Sequence, residues 1–261
     1  MKKNEIYQRQ LESLPESEWE SFLLKHSGLP GPRGNLELAQ AAADSGRPEQ
    51  FERWVKLEVA QAPVNSPQEV LAFCGVVGLG RLLAEGQVRR LKTLRRSAAD
   101  PRWRTREAVA MALQRWGDAD LAALIAAMQT WSLGTPWEQR AAAAALCEPR
   151  LLKDPAQVRP VLEILHTIMI RLPPPAERKT DAFVALKKGL GYCWSVAAAA
   201  SLAEGKAAME SWLASPDPDV RWIMKENLKK NRLARLDNAW VTRWQTHLAK
   251  PFASVNPKGK P

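Results

Sequence analysis

Three tryptophans in this chain are each followed, three residues on, by a base: Trp103 by Arg106, Trp137 by Arg140 and Trp222 by Lys225. Trp194-Ser195-Val196-Ala197 repeats the pattern without the base. A cation held at one register of successive structural units lines a common surface. Such a row suits a polyanion, above all a phosphate backbone, where charge neutralisation releases counterions and dominates affinity. Arg102, Arg104, Arg221 and Lys229 lie close enough in sequence to extend the row. The other reading is that these bases form a solvated face or pair with acids of the neighbouring unit. The aromatic partners divide the same way. Trp103, Trp137 and Trp222, near expected helix starts, either pack between repeats or stand at the rim of a groove and stack on a base or sugar. Trp194, beside Tyr192 and Cys193, either faces a cleft or is buried.

Little else in the chain points to chemistry. Cys74, Cys147 and Cys193 form no Cys-x-x-Cys pair, so neither a disulfide framework nor a zinc site is indicated. His26, His166 and His247 have no His or Cys partner at ligand spacing, so no metal is expected, and nothing calls for a cofactor. Gly75, Gly78 and Gly80 lack the spacing of a dinucleotide loop, and no Gly-Lys-Ser/Thr follows them. Close packing of their helix against a neighbour explains them better.

The elements that must position the bases read as helices throughout. The 34 residues from Trp103 to Trp137 are near one period of a helical-pair repeat, and the 85 from Trp137 to Trp222 are about two. Start signals recur: Asn35 as a cap, Pro48 at a first turn, Ser66-Pro67-Gln68-Glu69 as a capping box, and Thr135-Pro136 with Glu138. Asp100-Pro101 and Asp154-Pro155 repeat this chemistry, and Ser215–Asp219 precedes another helix. Gly117 is expected to end one helix, with Asp118 or Asp120 capping the next, and Asn231 to end another in the left-handed conformation. No segment alternates with period two. Thirteen or fourteen helices are expected, arranged as an all-α, right-handed solenoid of helix pairs.

We therefore expect an N-terminal segment over residues 1–14, one helical-repeat domain over 15–250 and a flexible tail over 251–261. Pro173-Pro174-Pro175 marks a linker near 172–176. The chain is 46% hydrophobic, enough for a sizeable core, and carries 38 bases against 28 acids. The net charge of +10 rises along its length. The opening residues lack the apolar stretch of a secretory leader and no run is long enough to span a membrane, so a cytoplasmic location is expected.

The Trp-x-x-base repeat followed by alanine-rich helix, together with DPDVRWIMKENLKKNRL, resembles the HEAT-like repeat superfamily. More specifically it is similar to the bacterial DNA alkylation repair branch, the alkylpurine DNA glycosylases. The stretches GLPGPRGNLELA and GLGYCWSV look like relatives of that branch described only as HEAT-repeat proteins. The resemblance implies a concave face holding double-stranded DNA by its backbone. It also implies an Asp one helical turn after a Trp, stabilising a positive sugar as the glycosidic bond breaks. Trp116 and Asp120 are the only such pair, and Gly117 is expected to separate them. The competing expectation is a non-catalytic scaffold whose groove holds a protein partner.

Overall fold

The computed structural model describes residues 2–250, so the expected tail at 251–261 lies outside them. Those residues form fifteen α-helices, a few single 3-10 turns and no strand, which makes the fold all-α. In chain order the helices are α1 (Lys3–Ser13), α2 (Trp19–Lys25), α3 (Leu36–Ser45), α4 (Pro48–Trp54) and α5 (Glu69–Ala84). Then come α6 (Leu91–Ser97), α7 (Trp103–Ala119), α8 (Leu121–Ser132), α9 (Pro136–Leu146) and α10 (Val158–Ile170). The last are α11 (Asp181–Ala200), α12 (Leu202–Leu213), α13 (Pro218–Leu228), α14 (Asn231–Leu236) and α15 (Asn238–Ala249).

The chain divides after Leu146 into two compact units. In the first, α1, α3, α5, α7 and α9 pack each against the next, while α4, α6 and α8 pack against the flanks of that row. In the second, α11, α13 and α15 form the row, with α10, α12 and α14 alongside. The Pro173–Pro175 stretch lies inside the second unit, between α10 and α11.

Alternation of this kind needs one helix buried on nearly every side, and α5 supplies it. All its residues from Glu69 to Leu83 except Arg81 are buried. Its glycines set how close the neighbours come. A methyl group on Gly78 would sit 2.3 Å from the Phe51 ring, and one on Gly80 would sit 2.5 Å from the Ala112 Cα. Close helix packing, not phosphate binding, accounts for them. Trp54, Trp131 and Trp194 are among the largest fully buried side chains, and truncating residues of this kind typically costs about 3–5 kcal/mol.

Several starts form as expected. Asn35 accepts from the Leu38 amide, Pro48 opens α4, and Asp154 accepts from the Ala156 amide. The Thr135–Glu138 box closes in both directions, at 3.4 Å and 2.7 Å. Others differ. The Ser66–Glu69 box does not form: Ser66 donates to the Pro63 carbonyl and Glu69 is buried in a network described below. Gly117 is buried in the middle of the last turns of α7 and ends nothing; the helix runs on to Ala119. Of the two aspartates expected to cap α8, Asp120 does so, through the Ala123 amide. Asn231 begins α14 and terminates no helix in the left-handed region. Residues 3–13, read only as a leading segment, are helical.

Candidate nucleic-acid interface

Arg106 and Arg140 sit in the first turns of α7 and α9, whereas Lys225 lies in the last turn of α13, and the first unit shows what the repeated bases touch. Arg106 of α7 lays its guanidinium over the Trp137 ring of α9, 4.4 Å from the centroid. The same group donates to the carbonyls of Asp100 (2.6 Å) and Pro101 (3.0 Å). Arg140 of α9 returns the contact, donating to the Arg106 carbonyl at 2.9 Å and pairing with Glu107. Base and tryptophan thus interlock neighbouring row helices. Each cation–π contact of this kind is worth roughly 0.5–2 kcal/mol, more as water is excluded.

Arg102 and Arg104, expected on the same phosphate-facing row, are turned inward. Arg102 is 3% exposed, bidentate to Asp100, and donates to the carbonyls of Leu57 and Ala62. Arg104 is 5% exposed and pairs with Glu69 at 3.0 Å. Their charges are consumed in holding the loops at 26–35 and 55–68 against α7. Trp103 stands out by contrast: it is 45% exposed, with Arg104 4.4 Å from its centroid.

The second unit repeats the clamp with different donors. Lys187 of α11 lies 4.8 Å from the centroid of Trp222 and pairs with Asp219 at 2.7 Å. Lys206 of α12 lies 5.7 Å from Trp240 and pairs with Asp237 at 2.5 Å. Asp219–Trp222 and Asp237–Trp240 share a spacing of three, so each acid and its tryptophan grip one lysine together. That acid-x-x-Trp signal is present in the sequence and went unused there. Burial alone would raise the Asp219 carboxyl, but hydrogen bonds from Lys187 and Arg178 outweigh it and hold the group below its usual range. The Lys206 hydrogen bond does the same for Asp237. Burial tends to lower the Arg178 guanidinium, yet its bonds to Asp217 and Asp219 raise it.

The remaining expected residues divide. Arg221 donates to the carbonyls of Leu248 and Lys250, capping the end of α15. Lys229 pairs with Glu226 and its side chain is 63% exposed. Lys225 is exposed and has no partner among the described residues. Trp194 is fully buried in α11, whereas Tyr192, two residues earlier, is 42% exposed. Arg232 donates to the Tyr192 hydroxyl at 2.6 Å and lies 4.7 Å from its ring centroid, with Lys230 at 5.8 Å. From Lys225 to Arg235 the chain carries five bases and one acid. This stretch, on α13, α14 and the turn between them beside the exposed ring of α11, is the densest run of bases in the second unit.

The catalytic pair suggested by sequence does not meet at a surface. Trp116 is 5% exposed among core residues of α7, and the Asp120 carboxylate is occupied as a helix cap. Among the described residues no group of three or more potential ligands could hold a metal, and no helix is long and apolar enough to cross a membrane. The chain matches no protein-family model, no curated protein and no solved structure.

Proposed function

We propose that the chain is a HEAT-like, right-handed solenoid that binds double-stranded DNA through its phosphates, with little reading of base sequence. One observation carries this reading: Lys225, Lys229, Lys230, Arg232 and Arg235 follow one another along α13, the turn after it and α14, where Lys225 is exposed and spared from packing. Residues 147–250 hold 17 bases and 11 acids, so the positive excess is concentrated on the unit that bears the patch. Flexible cations of this kind suit backbone contact, since phosphates fix position and carry no sequence information. Arg102 and Arg104 are left out of the contacting set because their guanidinium groups are buried in ion pairs. Arg106 and Arg140 contribute by holding row helices together.

Five phosphate contacts predict that log K falls against log salt with a slope of about −4.5 on duplex DNA, some 500-fold between 50 and 200 mM. Changing Lys225, Lys229 and Lys230 together to Ala removes about 2.7 from that slope, equally on unrelated sequences. A flat salt dependence, or one the triple variant leaves unchanged, overturns the reading.

A second reading, a scaffold that holds a protein partner, is favoured by the first unit. There the bases at the repeated register are spent on internal bonds. Glycosidic cleavage finds less support. It needs a carboxylate and a ring placed against the sugar, and Trp116 and Asp120 are committed elsewhere. We infer binding without cleavage. Release of free 7-methylguanine from alkylated DNA by the purified protein would reverse that inference.

A further inference from the structure

The loop at 28–34, the start of α5 and the first turns of α7 enclose a cavity of about 150 Å³ in the first unit. Leu29, Leu36, Val70, Phe73 and Met111 give it apolar walls, and the half-exposed Trp103 stands at its edge. Arg33 and Glu107 also line it. A cavity of this size and character holds a benzene-sized molecule.

Two charged side chains complete the lining, and both are buried: Glu69 at 0% and Arg104 at 5% exposure. Most of their hydrogen-bonding capacity is used on the loops. Glu69 Oε2 accepts from the Asn65 amide (2.8 Å) and from Arg104 Nη1 (3.0 Å). Arg104 Nη2 donates to the Gly31 carbonyl (2.6 Å) and to Asn65 Oδ1 (3.2 Å), which also accepts from the Gly31 amide (3.1 Å). One acceptor and one donor are left over. Glu69 Oε1 and Arg104 Nε have no hydrogen-bond partner among the described residues. Buried polar atoms are almost always satisfied, so two such atoms on an ion pair whose residues line one cavity call for a shared explanation.

We propose that this cavity binds a small, neutral, flat ring whose edge carries a hydrogen-bond donor beside an acceptor, as in an aromatic carboxamide or a pyrimidine. The ring's N–H donates to Glu69 Oε1, its carbonyl or ring nitrogen accepts from Arg104 Nε, and its faces lie among the apolar walls. Neutrality follows from the pair itself. Glu69 and Arg104 already compensate one another, and a net charge added within apolar walls would carry an unmet desolvation cost. A site with a committed donor and acceptor also rejects a ring that lacks the edge. This site lies in the first unit and is independent of the DNA-binding surface proposed on the second.

Benzamide and cytosine are the probes, with toluene and benzoate as the apolar and charged controls, titrated into the full chain. The readout is the indole N–H resonance of Trp103, assigned with Trp103→Phe. Both probes are expected to shift it saturably with Kd on the order of 1 mM, a reasonable strength for so few atoms. Toluene and benzoate should bind at least tenfold more weakly. Met111→Trp, at a half-buried position, should fill the cavity and abolish the shift while leaving helix content and Tm unchanged. Toluene binding as well as benzamide, no saturable shift with either probe, or binding that survives in folded Met111→Trp would each overturn the proposal. DNA titration in the same samples reports separately on the other surface.

Discussion

Replacing Arg104 by Ala separates a structural arginine from a phosphate-binding one. Its guanidinium bonds Glu69, the Gly31 carbonyl and Asn65, with side-chain exposures of 6% and 0% in the ion pair. Removing it leaves the Glu69 carboxylate buried with only the Asn65 amide as a partner. Breaking a buried pair this way costs about 3–5 kcal/mol, chiefly through the uncompensated charge. With a urea dependence of about 2 kcal/mol per molar, the unfolding midpoint should fall by roughly 1.5–2.5 M. The double replacement Arg104→Met/Glu69→Met should lose far less than the two single changes added together, because no charge is stranded. DNA affinity, measured where the Ala variant is still folded, should stay within about twofold of the parent, and the salt slope should not change. Circular dichroism in urea and a fluorescence binding titration are sufficient. A stability loss under about 1 kcal/mol, or a salt slope shallower by about 0.9, would show that Arg104 faces the phosphates after all.

Other outcomes follow from the same contacts. Gly78→Ala gains about 1 kcal/mol in helix propensity but drives a methyl to 2.3 Å from the Phe51 ring, so overpacking of about 1–3 kcal/mol should leave a net loss, read as a lower urea midpoint. Asp219 titrates below the usual 3.8, so its contribution to stability is complete above that pH and disappears as pH falls through the lowered value. Tm scanned from pH 6 to pH 2.5 should drop on the acid side, and Asp219→Asn should flatten that drop while lowering Tm at pH 6. Burial pushes the Cys74 thiol up to about 12, and burial beside Cys193 raises Cys147 as well. At pH 8 a disulfide reagent should therefore label these two far more slowly in the native protein than in urea; equal rates would mean that they are not enclosed.

Sequence reading succeeds here where the controlling interaction is local. The Asn35 cap and the Thr135–Glu138 box involve groups three residues apart, and both form. It fails where a distant group competes. Glu69 sits at the right spacing to close a box with Ser66, but Arg104, 35 residues away, takes its carboxylate into the core. Gly117 offers no reason to stop α7 once its missing side chain lets it pack among buried neighbours. The helix at 3–13 went unread because it is polar nearly all round, with Leu11 its single buried residue. The outcome at the candidate site is of the same kind. Arg104 and Lys225 are both bases in the first turns or last turn of a row helix, and only a carboxylate remote in sequence decides which is internal.

That difference also explains why the cationic surface falls where it does. The register suggests that Lys225 should cover Trp240 as Arg106 covers Trp137. The interval between tryptophans, however, has shrunk from 34 residues to 18. Trp240 is covered instead by Lys206, which arrives from α12 already paired with Asp237. Lys225 is thereby released from packing and left exposed, and the short helix α14 that fills the shortened interval adds Arg232 and Arg235 beside it. A base that no longer serves the clamp stabilises nothing in the fold by staying charged. On the proposed DNA-binding reading, Lys225 is therefore a base of this stretch left to meet a phosphate, whereas Lys229 must first leave Glu226.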